Sequence, residues 1–169
     1  VGFGNIDIKA AKEKGITVTN TPDVLTDATA DIQILLLLGA SRKVYEGRIA
    51  AETQNWKWSW DFLLGKQMSN KRLGILGMGR IGRAVVKRAK AFGMEIHYHN
   101  RSKISTDLED GAIYHQDIKS LFEKSEFLSI NCPATPETRN IINKETLNYL
   151  EENTVIGNAA RGDVVDDDA

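Results

Sequence analysis

Gly77, Met78, Gly79, Arg80, Ile81 and Gly82 form G-x-G-x-x-G, between the apolar run Leu73-Gly74-Ile75-Leu76 and a helical pattern that continues to Phe92. Context gives the string its weight. A strand that ends in a glycine turn and feeds a helix presents unpaired backbone N–H groups, at the positive end of a helix dipole, to a dinucleotide diphosphate. The three glycines act differently. Gly77 permits the tight turn, Gly79 lets phosphate approach the backbone, and Gly82 lets helix and strand sit close. The competing reading is an ordinary glycine turn.

The next strand chooses the cofactor. NAD-type sites carry an acidic side chain at its end to accept from the ribose 2′-hydroxyl, and the equivalent residue here is Asn100, 18 positions after Gly82. A carboxylate repels a 2′-phosphate, whereas Asn100-Arg101-Ser102-Lys103 offers neutral donors and two cations. NADP(H) is therefore the expected cofactor, with NAD(H) as the second possibility. The bland alternative makes Arg101 and Lys103 solvated loop charges, and Arg80 either lies against phosphate or faces water. His97 and His99 share one strand face, but no Cys or carboxylate stands at ligand spacing, so no metal site is expected. Nothing near His115 in sequence makes it a catalytic base.

Strands alternating with helices must position these residues. The pattern predicts strands at Leu73–Leu76, Glu95–His99, Ala112–Tyr114, Phe127–Ile130 and Val155-Ile156. A stripe of Ile81, Val85, Ala89 and Phe92 marks one helix, residues 118–124 a second, and Leu147 with Leu150 a third, capped by Asn143. Such alternation specifies an α/β fold, a Rossmann-type doubly wound parallel sheet with its ligand crevice beyond the carboxyl ends of the strands. Upstream, residues 1–22 read as the end of another unit: a turn at Gly2 and Gly4, a helix over 6–14 closed by Gly15, and a strand at Ile16–Thr19. Asn20-Thr21-Pro22 breaks it. A long helix follows from Asp23 to about Arg42, apolar around enough of its surface to need cover on more than one side. Between residues 44 and 65, Trp56, Trp58, Trp60 and Phe62 alternate, which suits either a sheet face or an arm lying on a partner subunit.

Composition narrows the classes. Twenty-two Lys and Arg against 23 Asp and Glu leave a net charge of -1 without a long basic stretch, which speaks against nucleic acid as a partner. Ile32–Leu38, the most apolar segment, is far too short for a bilayer span and contains Gln33, so no membrane partner is expected. One cysteine, Cys132, excludes an intrachain disulfide framework and fits a reducing, cytoplasmic setting. The start at Val1 and the stop after Asp166-Asp167-Asp168 read as a piece of a longer polypeptide.

Four blocks in order, Asn5-Ile6-Asp7, Gly77–Gly82, Asn131-Cys132-Pro133-Ala134-Thr135-Pro136-Glu137-Thr138 and Asn158-Ala159-Ala160-Arg161-Gly162, resemble the D-isomer-specific 2-hydroxyacid dehydrogenases, nearest to the glyoxylate/hydroxypyruvate reductase branch. The resemblance implies that residues 1–22 end a substrate-binding domain, with Val1 and Gly2 in the loop whose amides hold the substrate carboxylate. It makes residues 23–169 an NAD(P)-binding domain incomplete at its C-terminus, and residues near 44–65 the arm of a homodimer. Cys132 and Pro133 would line the cofactor cleft, Thr138 would lie near it, and Ala159, Ala160 and Arg161 would approach the nicotinamide side. Arg161 would be the catalytic arginine, gripping the carboxylate of a short 2-oxo acid and polarising its carbonyl; a guanidinium suits that work because it stays charged and planar. Without the family, Arg161 reads equally well as a cleft residue or a salt-bridge partner. The family's proton-donating histidine and its glutamate match nothing here, neither His97, His99, His115 nor Glu151 or Glu152, so little turnover is expected from these 169 residues alone. The same fold serves a rival function: a dinucleotide-binding corepressor or scaffold without turnover.

Overall fold

A computed structural model of the chain describes residues 2–169. Its centre is a five-stranded sheet, every pairing parallel, with strands β1 Arg72–Leu76, β2 Glu95–His99, β3 Ile113–Tyr114, β4 Phe127–Ile130 and β5 Val155–Asn158 in the order β3-β2-β1-β4-β5. Leu73 to Leu76 and all of β4 are buried, the continuous apolar signature of parallel strands covered on both faces. Strand order reverses between β1 and β4, which opens a crevice at their carboxyl ends.

Helices cover both faces. Helix α1 is Ile8–Glu13, α2 Thr26–Ser41, α3 Val44–Thr53, α4 Arg80–Ala91, α5 Thr106–Glu109, α6 Ile118–Phe122 and α7 Lys144–Leu147, followed by a 3-10 turn at Gly162–Val164. On one face Leu73, Ile75, Ile96, Tyr98 and Phe127 pack with Ala30, Ile34 and Leu37 of α2 and Val85, Val86 and Ala89 of α4. On the other, Leu76, Leu128 and Ile130 pack with Leu121 and Phe122 of α6. Helix α2 approaches β5 closely because Gly157 has no side chain: a Cβ there would stand 2.7 Å from Gln33 Nε2, and that same nitrogen donates to the Gly157 carbonyl at 2.9 Å. Asn143 caps α7 through a capping box with Thr146, as its sequence position predicts.

Three expectations need correction. Ile16–Thr19 forms no strand; the segment has no ladder partner among the described residues, and its Ile16 amide instead donates back to Ala11 at 2.8 Å. The α1 helix is shorter than predicted, because the Asp7 carboxylate takes the Ala10 amide and fixes the start two residues in. The tryptophans line no sheet: Trp58 and Trp60 are 81% and 82% exposed, and only Trp56 and Phe62 stack on each other, at 5.3 Å. Among the described residues, no helix is long and apolar enough to cross a membrane.

Candidate functional site

Three strand ends converge on the glycine turn. The Gly77 amide donates to His99 O at 3.0 Å and the Asn131 amide donates to Leu76 O at 2.8 Å, so the loops after β1, β2 and β4 leave the sheet side by side. Gly77 has φ +96, and a Cβ on it would stand 2.6 Å from the Cys132 amide, so both the turn and the neighbouring loop require glycine. A Cβ on Gly82 would meet Gly77 O at 2.5 Å, which is the close packing of α4 on the turn. Gly79 differs: a Cβ there would meet nothing within 4 Å. That open space belongs to a cleft of about 510 Å³ lined by Gly77, Gly79, Asn100, Arg101, Ser102, Cys132, Pro133 and Thr138.

No side chain caps α4, whose N-cap is Gly79, so the first amides of a 12-residue helix remain for an anion. A diphosphate fits this cradle in size and charge. The Met78 amide is not among its donors, because it is held by Asn100 Oδ1 at 2.7 Å. The bond orients Asn100: its oxygen is committed to the turn and its NH₂ is left for the cleft. Ile81 packs its side chain on the core and contributes only backbone. Of the two places expected for Arg80, the solvent-facing one holds: it is exposed and does not line the cleft, and its Nε pairs with Asp23 Oδ1 at 2.9 Å, next to Pro22 where the chain enters α2.

The expectation that Lys103 serves the cleft is corrected as well. Its ammonium lies 3.5 Å from Glu109, whose side chain is almost buried and needs a cation. Arg101 and Ser102 do line the cleft, together with Glu137, a carboxylate that sequence reasoning did not single out. A hydrogen bond from Thr135, and the more distant charge of Arg101, hold the Glu137 carboxyl below its ordinary range. Thr138 fastens the loop: its hydroxyl donates to Pro133 O at 2.6 Å and accepts the Thr135 amide at 2.8 Å. Burial pushes the Cys132 thiol up, which keeps it protonated at neutral pH.

Ala159, Ala160 and Arg161 do not line this cleft. They follow β5, where Asn158 accepts the Ala160 amide at 2.9 Å and donates to Arg161 O at 2.8 Å. Among the described residues no carboxylate pairs with Arg161, which donates only to Ala160 O. A Cβ on Gly2 would stand 2.9 Å from Arg161 Nη2, so two of the three residues assigned to substrate are neighbours although 159 positions separate them. Val1 lies outside the described residues. Two of the histidines join a chain of side chains that sequence spacing did not reveal: Glu95 to His97 at 2.7 Å, His97 to His115 at 2.8 Å and His115 to Ser120 at 3.1 Å, while His99 Nδ1 bonds the His115 carbonyl at 2.9 Å. Among the described residues, no three metal-ligating side chains converge.

The family model "D-isomer specific 2-hydroxyacid dehydrogenase, NAD binding domain" matches residues 34–169. The chain belongs to this family. A glycerate dehydrogenase of Hyphomicrobium methylovorum is 43% identical over 99% of the chain and 53% of its own length, and a glyoxylate reductase of Thermococcus litoralis is 41% identical over 100% and 53%. The crystal structure of a glyoxylate reductase from Paecilomyes thermophila superposes with a TM-score of 0.89 at 43% identity, covering 99% of the chain and 50% of that protein. The chain thus spans about half the length of the relatives it matches. The cleft at the β1–β4 crevice lies within the stretch that this NAD-binding-domain model matches, at the place where open α/β sheets take their ligands.

Proposed function

We propose that the full-length protein reduces a short 2-oxo acid, glyoxylate or hydroxypyruvate, to the D-2-hydroxy acid, with NADPH preferred over NADH. What supports the substrate half most is Arg161: a guanidinium without a carboxylate partner among the described residues, next to the backbone of Gly2. It would grip the substrate carboxylate and stabilise the oxygen as charge develops there, with Val1 and Gly2 amides as further donors. When bound, reduced nicotinamide would supply the hydride to C2, and the proton for the oxygen would come from the family's histidine, which none of His97, His99 and His115 matches. The amides at the start of α4 would hold its diphosphate, and Cys132 and Pro133 would wall the ring side of the cleft, with Ala159 and Ala160 outside its lining, beside Arg161. Asn100 supports the NADPH preference, since its Oδ1 is tied to the Met78 amide and its NH₂, in a cleft also lined by Arg101, would be left to donate to a 2′-phosphate. In this reading residues 1–22 end the substrate-binding domain, residues 23–169 are cofactor domain, and the exposed tryptophan arm within 44–65 joins two subunits.

The test is steady-state turnover of the full-length protein with glyoxylate, hydroxypyruvate and pyruvate, each with NADPH and NADH. Reduction of at least one acid with NADPH favoured is the expected result, and Arg161→Gln should lower kcat/KM by about 10²-fold or more. Inactivity on every 2-oxo acid would instead favour a cofactor-binding corepressor or scaffold.

A further inference from the structure

Helix α5 is a single turn, and its work is to return Glu109 to the loop after β2. Asp110, at φ 50, reverses the chain, and Lys90 of α4 pins Asp110 at 2.7 Å. Glu109 then reaches two partners: the Tyr98 hydroxyl, which donates at 2.7 Å, and the Lys103 ammonium at 3.5 Å. Tyr98 is fully buried, and its oxygen also accepts the Ile104 amide at 3.3 Å. Burial, and then the bond to Glu109, push the Tyr98 hydroxyl up to about 12, so it remains a donor. Residues 98–109 are thereby closed into one polar unit around a carboxylate that is only 7% exposed.

Resting on the NADPH reading above, we propose that Glu109 sets the strength of 2′-phosphate selection by cancelling the charge of Lys103. Of the loop's two cations, only Arg101 then meets the phosphate, and it shares the cleft with Glu137. Glu109 is almost buried and Lys103 is the one cation beside it among the described residues, so the carboxylate draws the ammonium toward itself although the Lys103 side chain is 56% exposed. Glu109 does not line the cleft and acts through Lys103, which makes it a positioning residue.

The experiment measures KM and kcat for NADPH and NADH in the full-length protein, at low and high salt, for Glu109→Gln, Lys103→Gln and the double variant. Glu109→Gln keeps an oxygen for Tyr98 and removes only the charge. One uncompensated charge near the phosphate should raise the NADPH:NADH ratio of kcat/KM roughly threefold to fivefold, chiefly through the NADPH KM, and salt should shrink the change. Lys103→Gln should lower the ratio by a similar factor, and the double variant should return within about twofold of the original. A ratio that falls or stays level in Glu109→Gln, or a double variant that does not return, would overturn the proposal. A native protein that prefers NADH would overturn the cofactor reading instead, while the direction of the Glu109→Gln shift would still decide this one.

Discussion

Alanine at Gly79 and alanine at Gly82 should separate binding from folding. At Gly82 the new Cβ would lie 2.5 Å from the Gly77 carbonyl oxygen and 3.2 Å from Ile75 Cγ2, whereas ordinary contact begins near 3.4 Å. The turn and α4 must part by about 0.9 Å, and since the opposing atom is backbone, no rotamer change relieves it. Overpacking of that kind costs about 1–3 kcal/mol, or a Tm lower by roughly 3–10 °C. At Gly79 the backbone already has φ -80 and a Cβ meets nothing, so the loss of about 0.5–1 kcal/mol of cap preference is offset by a similar gain from a stiffer unfolded chain. That Cβ does enter the space where phosphate would approach. Displacing the phosphate from one or two charge-assisted amide bonds, each worth about 1.5–3 kcal/mol, should weaken NADPH binding roughly 10²-fold. Thermal melts and NADPH fluorescence titration of the two variants give the contrast: Gly82→Ala loses stability and affinity together, Gly79→Ala affinity alone. If Gly79→Ala binds NADPH as tightly as the native protein, the phosphate does not lie on this turn.

Asn100→Asp keeps an oxygen for the Met78 amide but turns a carboxylate oxygen toward the 2′ position, so KM for NADPH should rise about 10²-fold while NADH binding holds or improves; an unchanged ratio in a two-cofactor assay would remove Asn100 from the selection. Burial, with the neighbouring His97, lowers the His115 pKa below its ordinary 6.5, so the unfolded chain takes the proton first and stability falls as pH drops below 6.5; melts of His115→Gln should lack that component. Glu126 responds lower: burial raises its pKa, but Lys71 and the Arg72 amide overcome this and hold it below 4.5, so its stabilisation persists above 4.5 and is lost on further acidification, with Glu126→Gln flattening that limb. Trp58→Ser with Trp60→Ser should convert a dimer to monomer in light scattering if the exposed arm is the subunit contact, and an unaltered mass would assign the contact elsewhere.

What was legible in the sequence is what local rules dictate. The strand, glycine turn, helix and second strand around Gly77–Gly82 each carry a strong pattern, and the ends of β2 and β4 agree with it to the residue. Helix α3 escaped because it buries none of its residues and so has no stripe to read, and α5 because Thr106–Glu109 is too short for periodicity. The site divides the same way. Gly77, Asn100, Cys132 and Pro133 meet at one cleft because the topology puts those strand ends together. Lys103 was misplaced because its partner, Glu109, is chosen by tertiary packing that spacing does not encode, and spacing likewise gave no sign that the exposed Arg80 pairs with Asp23.

The most direct measurement is a crystal structure of the full-length protein with NADPH. It should show the diphosphate within hydrogen-bond distance of the Arg80 and Ile81 amides, the Met78–Asn100 bond intact, and the 2′-phosphate against Asn100 Nδ2 and Arg101. A diphosphate seated away from the start of α4, or a 2′-phosphate turned to solvent with Arg101 unengaged, would contradict the account.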